Sequence, residues 1–163
     1  MKLAETVTFG GDAWDRAAEL RGLADLPKGP SQAIVLWRGK LCTHGGTLSP
    51  LLRVPLEHPV LRGAVDPPVL LGREADGTLD ESVLGGFIDT SLQTHPDLPD
   101  THGFAELRRI MTTLSPRDAE LAATARALYA WHDSHRFCAR CGAPSQMIQR
   151  GWQRSCAACG GPC

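Results

Sequence analysis

Several features that would indicate a particular class of protein are missing from this sequence. No apolar run approaches the 18 residues that a membrane span needs, and the N-terminal residues 1–6 contain no apolar segment of the secretory kind. The formal net charge is only −1, so no global field attracts nucleic acid or anionic lipid. We therefore expect a soluble, cytoplasmic protein that makes no contact with a membrane.

The sequence also lacks the common hydrolytic motifs. It contains no G-x-S-x-G, no H-E-x-x-H and no phosphate loop of the Walker type. Its glutamates are all isolated from one another, so no Glu-Glu pair is present to hold clustered Mg²⁺. The one adjacent acidic pair, Asp80-Glu81, is expected in a solvated turn. The residues by themselves therefore predict a scaffold with no catalytic residues.

Cysteine is present at a spacing that is typical of a metal site. Cys138 with Cys141 and Cys156 with Cys159 form two C-x-x-C pairs, fourteen residues apart, each followed by glycine. Each such turn directs two sulfurs at one point, and two facing turns form the tetrahedral four-thiolate site of structural Zn²⁺. A disulfide or a redox C-x-x-C is disfavoured, because the pair is duplicated and no βαβ pattern surrounds it. Since no ligand position is left for water, we predict a structural zinc.

The residues around these pairs leave alternatives open. Cys42 is interpreted as a small strand hydrophobe, and Cys163 as a residue close enough to compete as a ligand. Four thiolates on Zn²⁺ leave a charge of about −2, and no acid follows Asp133 in a segment that contains Arg136, Arg140, Arg150 and Arg154. These arginines either balance the cluster, which we favour, or form a phosphate-binding face for a nucleotide or RNA.

The first 114 residues are expected to be rich in β-strands. Helical spacing over residues 12–26 predicts one early helix with Asp12 as its N-cap. A hairpin is predicted from residues 33–37, a turn at 38–40 and a returning strand at 41–43. Residues 51–70 are interpreted as short edge segments, 69–72 and 83–89 as strands, and 104–114 as a short helix with helical spacing of its apolar residues.

The clearest helix begins after Ser115, which is followed by Pro116 at the first helical position and an acid in the first turn. It is predicted to extend to about His135, where His132 and His135 either cap its end or face solvent. No linker separates it from Cys138, so we expect the ribbon to dock rigidly on the rest of the chain. The predicted class is α+β: a β-rich N-terminal domain (1–114), a connecting helix (115–136) and a four-cysteine zinc ribbon (137–163).

Three motifs lie close together near the end of the sequence: A-L-Y-A-W-H at 127–132, H-R-F-C-x-x-C-G at 135–142 and G-W-x-x-x-C-x-x-C at 151–159. In these motifs the sequence resembles the NADH pyrophosphatase family of Nudix hydrolases. L-W-R-G at 36–39 is similar to the family's N-terminal hairpin, and V-L-L-G at 69–72 to its next strand. Members carry a β-rich domain, a zinc ribbon and then a Nudix catalytic domain. They cleave NADH or NAD⁺ at the pyrophosphate with Mg²⁺ or Mn²⁺, and some remove NAD caps from RNA.

The resemblance implies part of such an enzyme, because the R-E-x-x-E-E core of the Nudix box is absent from this sequence. Arg73-Glu74 does not continue into that box, so no catalytic residue is carried over and we expect this chain alone to be inactive. Arg108, in an L-R-x-hydrophobic setting, matches a family dinucleotide contact, with a solvated helix charge as the alternative. The implied partners are NAD(H) or NAD-capped RNA, and a homodimer is left open. The alternative function is a stand-alone ribbon that binds RNA or a protein.

Overall fold

The computed structural model describes residues 14–23, 31–45, 51–64, 66–74, 82–87 and 98–163. The N-terminal part contains strands β1 (Trp14–Asp15), β2 (Gln32–Trp37), β3 (Lys40–His44), β4 (Arg53–Pro55), β5 (Val69–Glu74), β6 (Ser82–Phe87) and β7 (His102–Ala105). Helices α1 (Leu107–Ile110) and α2 (Pro116–Ser134) follow, and then the ribbon strands β8 (Ser145–Ile148) and β9 (Gln153–Cys156). Short 3-10 helices cover Ala18–Leu20, Pro59–Gly63 and Gln149–Gly151. The predicted α+β class is confirmed.

The N-terminal strands form one sheet in the order β1-β5-β6-β2-β3-β7. Among the described strands the β2–β6 pair is parallel and the other pairs are antiparallel. Because β6 pairs with β2 along Gln32–Leu36, β3 and β4 share the opposite edge of β2, at its C-terminal and N-terminal ends. Strand β2 is therefore the centre of the sheet, although the longest strands have only six residues.

The predicted hairpin is confirmed, and its turn explains the sequence between the strands. Leu36 pairs with Leu41 and Trp37 with Lys40, so only Arg38 and Gly39 lie in the loop. Both have positive φ, 50° and 72°, as a type I′ turn requires. This turn matches the right-handed twist of two antiparallel strands, so the register of the hairpin is set locally.

Both faces of the sheet are covered, which explains the continuous apolar run of β2. Ile34 and Leu36 pack on one face, together with residues of α2, while Ala33 and Val35 pack on the other. Helix α2 contributes Ala119, Leu121, Ala122 and Ala125 to the first cluster. The second cluster is closed by Leu20 and Val60 from the two 3-10 helices of the N-terminal part. Most of α2 is therefore part of the N-terminal core.

The predicted start of α2 is also observed. The Ser115 hydroxyl accepts a hydrogen bond from the Asp118 amide at 3.1 Å, and Pro116 occupies the first turn. Arg53 on β4 contacts the Asp118 carboxylate at 2.8 Å, so the start of the helix is held against the sheet. Within the described ranges, no helix has both the length and the apolar character that crossing a bilayer requires.

The early helix predicted over residues 12–26 is wrong for the part of it that the structure describes, residues 14–23. Trp14 and Asp15 pair instead with β5, and Ala17 adopts a left-handed conformation with φ 47°. The Asp15 carboxylate accepts from the Ala17 amide at 2.9 Å, which turns the chain into the 3-10 helix. Pairing with β5 and the bond from Trp14 Nε1 to the Arg117 carbonyl (3.0 Å) outweigh a weak helical pattern.

The helix predicted over residues 104–114 is only partly observed. Phe104 pairs with Cys42 as part of β7, so the sheet gains an edge strand where a helical residue was expected. The regular helix is restricted to α1, after which the chain bends through residues 111–114 before Ser115. Phe104 packs 5.4 Å from the ring of Trp37, a contact between strands that sequence spacing cannot encode.

Candidate metal centre

The two C-x-x-C segments fold into matching knuckles. The amide of Gly142 donates to the carbonyl of Cys138 at 2.8 Å, and that of Gly160 donates to Cys156 at 2.9 Å. Both glycines have positive φ, 74° and 69°, which glycine adopts without the steric cost of a Cβ. The same bonds therefore recur eighteen residues apart (Cys138 to Cys156, Gly142 to Gly160), and the local sequence is enough to build each half of the site.

The knuckles bring the four predicted ligands together. All four sulfurs of Cys138, Cys141, Cys156 and Cys159 lie within 4.8 Å of one another. Between the knuckles, Sγ–Sγ distances are 3.7 Å for Cys138–Cys159 and 3.5 Å for Cys141–Cys156. Zn–S bonds of about 2.3 Å give a tetrahedral edge of about 3.8 Å, whereas a disulfide bond is about 2.05 Å long. The donor set therefore fits zinc, and these cysteines are not paired as disulfides.

Backbone amides donate to the sulfurs, and the pKa of two of the four thiols, Cys138 and Cys156, is lowered as a result. The amides of Arg140 and Cys141, in that order, lower the pKa of Cys138 to about 6. The amide of Cys159 is the main cause that lowers the pKa of Cys156. For Cys141, the Ala143 amide acts in the same direction, but the Cys156 thiol and burial outweigh it and raise the pKa to about 12. Without a metal the cluster holds part of its protons, and a bound metal displaces the rest.

A buried network of polar side chains connects the ribbon strands to helix α2. Arg154 is only 5% exposed and His132 only 4%. The Arg154 guanidinium donates to His132 Nδ1 at 2.9 Å, and to the hydroxyl and the carbonyl of Ser145, both at 2.8 Å. His132 Nε2 in turn lies 2.9 Å from the Gly151 carbonyl, which assigns the ring proton to that nitrogen. Helix α2 and both ribbon strands are joined by this network.

The ribbon also packs directly against the sheet. Gly151 has φ +90°, and a Cβ built there would lie 2.5 Å from Val69 Cγ2 on β5. Trp152 Nε1 donates to the Leu70 carbonyl, and the Arg21 guanidinium stacks 3.9 Å from the centroid of the Trp152 ring. The close approach of the loop to the strand requires glycine, so the docking is built into the sequence of the loop.

Comparison with known families decides the assignment. A family model described as the NADH pyrophosphatase-like rudimentary NUDIX domain matches residues 30–131. A second, the NADH pyrophosphatase zinc ribbon domain, matches residues 133–161 and contains all four clustered cysteines. The chain belongs to the NADH pyrophosphatase family of Nudix proteins.

Two curated relatives of this NADH pyrophosphatase family member match over a short segment. The human protein named NAD(P)H pyrophosphatase NUDT13, mitochondrial, is 47% identical over 53 residues, which are 32% of this chain and 15% of the relative. The mouse protein of the same name is 42% identical over 53 residues with the same coverage. The matched segment thus spans about one seventh of the length of these relatives.

The ribbon arginines of this family member have different environments. Arg154 is buried in the network, Arg136 contacts Asp133 at 3.1 Å, and Arg150 donates to the Leu23 carbonyl at 3.0 Å. Arg140 is exposed on the first knuckle. Of the two alternatives for these arginines, a phosphate-binding face cannot include the buried Arg154, and three of the four already contact protein groups. This arrangement disfavours a broad phosphate-binding face on the ribbon.

The histidine prediction is also corrected. His132 neither caps the helix nor faces solvent, because it continues the buried stripe of α2 that includes Leu121 and Ala125. Burial lowers its pKa, more strongly than the bond to Gly151 raises it. His135 is exposed and is the C-cap residue of α2. The helical spacing of this stripe was the sequence feature that could have predicted the burial of His132. For Arg154 it was the alternation along β9, which puts this residue on the same face as Cys156.

The other residues singled out from the sequence are not members of the four-sulfur group. Arg108 is exposed on α1, where nothing distinguishes the dinucleotide contact from a solvated charge. Cys42 is fully buried on β3, and burial raises its pKa to about 12, as a strand hydrophobe requires. Cys163 is half-buried and its amide donates to the Arg154 carbonyl at 3.1 Å. It stands beside the cluster, outside the four-sulfur group.

Proposed function

We propose that this chain is the N-terminal and zinc-ribbon portion of an enzyme that hydrolyses NAD(H) at its pyrophosphate, yielding nicotinamide mononucleotide and AMP. The supporting observation is that the two family models follow one another along the chain and the second coincides with the observed four-thiol cluster. The portion folds the ribbon around zinc and positions the dinucleotide. NAD-capped RNA, from which the enzyme would remove the cap, is the second substrate that we propose for the same enzyme.

Zinc in this proposal is structural. Cys138, Cys141, Cys156 and Cys159 would hold it, and four thiolates leave no position for a reacting water. The chemistry it supplies is charge and geometry, which fix two knuckles that have little apolar core of their own. Hydrolysis needs Mg²⁺ or Mn²⁺ held by acidic residues of the R-E-x-x-E-E type, and this sequence contains no such run. We therefore propose that the chain by itself is inactive. We also propose that it works in the cytoplasm as part of the enzyme.

A hydrolysis assay tests the assignment of activity. The purified zinc-loaded chain is incubated with NADH and either Mg²⁺ or Mn²⁺, and AMP is measured by chromatography. No AMP is expected from this chain, whereas a longer gene product that includes a Nudix box should release it. Release of AMP by residues 1–163 alone would overturn the claim that no catalytic residues are present.

A paired substitution tests whether the chain positions the dinucleotide. Arg108 and Arg109 are adjacent and both exposed on α1, so they are matched in charge and accessibility. If Arg108 contacts the dinucleotide, Arg108→Ala should raise the KM of the longer enzyme for NADH while Arg109→Ala leaves it unchanged. An unchanged KM in both variants would show that both are solvated helix charges, and an equal increase in both would contradict a contact specific to Arg108.

The alternative function, a stand-alone module that binds RNA, has a test of its own. Binding through phosphates weakens steeply with added salt, because counterions are released from the nucleic acid. Absence of RNA binding by the zinc-loaded chain at about 50 mM salt would remove this alternative. We expect that result, because three of the four ribbon arginines already contact protein groups.

A further inference from the structure

Two histidines face each other across the paired strands β3 and β7. These strands lie at the edge of the sheet opposite to β1. His44 on β3 is directly opposite His102 on β7. The amide of Gly45 donates to the Thr101 carbonyl at 2.6 Å, so the ladder bond lies beside this pair and not within it. Such a pair is of the non-hydrogen-bonded type, in which opposite Cα atoms are only about 4.5 Å apart and side chains come closest.

The two imidazole rings adopt the separation expected of two ligands on one metal ion. Their centroids are 4.4 Å apart and their planes are inclined by 48°. A metal–nitrogen bond of about 2.0–2.1 Å puts each ring centroid about 3.2 Å from the ion. Two rings in adjacent positions at 90° then have centroids about 4.5 Å apart, against about 5.2 Å in a tetrahedral site. The observed separation is closer to the value for the 90° arrangement of octahedral or square-planar ions than to the tetrahedral value.

The pair is accessible and its backbone is held. His44 is exposed and His102 half-buried, so one side of the pair is open to solvent. The strands that carry them are joined over four residue pairs, from Leu41–Ala105 to His44–His102. Thr101 Oγ1 is 3.5 Å from His102 Nδ1. Binding of a ligand to both rings therefore costs little backbone entropy of the protein.

We propose that His44 and His102 form a two-histidine site for a divalent transition ion of tetragonal or octahedral preference, with Ni²⁺ and Cu²⁺ as the matching chemistry. The site belongs to the sheet and is separate from the four-thiolate centre of the ribbon. Imidazole nitrogens are suitable ligands for both ions. Water completes the coordination on the open side.

Calorimetric titration of the zinc-loaded chain with Ni²⁺ tests the site. One Ni²⁺ per chain should bind while the zinc content, measured in the same sample, stays constant. His44→Phe and His102→Phe retain a ring for packing across the strands but remove the ligand nitrogens. Each should weaken Ni²⁺ binding by at least about tenfold, which corresponds to about 1.4 kcal/mol. His135→Phe removes an exposed histidine elsewhere and should leave Ni²⁺ binding unchanged.

A second measurement needs no substitution and so does not depend on how well the variants fold. Paramagnetic Ni²⁺ at substoichiometric concentration should broaden the imidazole proton signals of His44 and His102 before those of the other histidines. Even broadening of all exposed histidines, or Ni²⁺ binding unchanged in both Phe variants, would overturn the proposal. In that case the contact between the rings is packing only.

Discussion

The sheet and the ribbon of this molecule are ordered by different means. The sheet has two apolar clusters, one on each face, and every fully packed member of both lies at or before Ala125. In residues 137–163 the buried residues of apolar type are Cys138 and Cys156, which belong to the four-thiol cluster. Phe137 remains 64% exposed and Ile148 37%. Hydrophobic burial therefore accounts for the sheet. For the ribbon we expect a bound metal and polar contacts to take that role.

This difference explains why the ribbon carries so much specific polar structure. A short hairpin with little apolar core cannot offset the entropy of ordering its chain. The thiol cluster supplies one set of constraints, and the bonds of Arg154 and His132 supply another. The contact of Gly151 with Val69 then joins the two parts. Because these constraints differ from the apolar clusters of the sheet, we expect some substitutions to affect the ribbon alone.

Removal of the metal should have the largest effect. Chelation, or Cys156→Ser, should unfold the ribbon and leave the sheet folded, because the buried members of both apolar clusters lie outside the ribbon. Structural zinc contributes about 10–16 kcal/mol of binding free energy in small zinc domains. Zinc content by mass spectrometry under native conditions, with amide NMR spectra, measures both outcomes.

Cys163→Ser is the matched control for the metal, since Cys163 lies beside the cluster but outside the four-sulfur group. It should retain one zinc per chain and the ribbon signals of the original chain. Loss of the sheet signals together with zinc would show that the two parts are not stabilised independently. Loss of zinc in Cys163→Ser would place this residue among the ligands.

Replacement of the buried arginine should have the next largest effect. Arg154→Met removes the donors to His132 and to both oxygens of Ser145, and leaves these groups buried. We expect a loss of about 3 kcal/mol in the free energy of unfolding. Hydrogen bonds to charged groups contribute about 1.5–3 kcal/mol each, and the total is smaller than the sum over the three bonds because such contributions are not additive. Urea titration followed by tryptophan fluorescence measures it. Arg140→Met, on the exposed knuckle, should change this free energy by less than about 0.5 kcal/mol.

A pair of glycine substitutions separates docking from local strain. Gly151 and Gly142 both have positive φ, 90° and 74°, so alanine is strained at either position. A Cβ at Gly151 also meets Val69, whereas nothing lies within 4 Å of one at Gly142. Gly151→Ala should therefore lower the free energy of unfolding by about 2 kcal/mol more than Gly142→Ala. Addition of Val69→Ala should recover part of that difference; no recovery would contradict the docking contact.

A pH dependence should have the smallest effect. Burial lowers the pKa of His132 from its ordinary value of 6.5, so the unfolded chain binds this proton more readily than the folded chain. The stabilisation is complete above about pH 6.5 and decreases as the pH falls toward the lowered folded value. Thermal unfolding at a series of pH values, with zinc content checked at each, measures it.

His132→Gln provides the control for the pH series, because the amide can accept from Arg154 and donate to Gly151 without titrating. The dependence should flatten in this variant and persist in His135→Gln, whose histidine is exposed. An unchanged slope in His132→Gln would assign the pH dependence to other groups, of which the thiol ligands are the first to examine.

Features with a local signal were predicted correctly from the sequence. The C-x-x-C knuckles are built by bonds within five residues, the Arg38-Gly39 turn by two positive φ angles, and the start of α2 by Ser115 and Pro116. Each depends on a side chain or a glycine that acts on its own neighbours. Such effects are present in the sequence whatever the rest of the chain does.

Features that depend on distant partners were predicted wrongly or not at all. Trp14 has helical spacing but pairs with β5 some sixty residues away, and Phe104 joins β7 because Cys42 lies opposite. Likewise, His132 was expected to cap the helix or face solvent, and its contact with Arg154 was not predicted, since nothing near either residue in the sequence shows the other. Their burial is decided by the docking of the ribbon on α2.

The sequence by itself determined the family, the four clustered cysteines and the local geometry that presents them, because these follow from spacing over a few residues. Only the tertiary structure decided that Arg154 is enclosed and that a histidine pair forms across β3 and β7. The physical reason is that spacing along the chain controls bonds over one or two turns. Contacts between distant segments depend instead on which faces the whole sheet leaves to be covered.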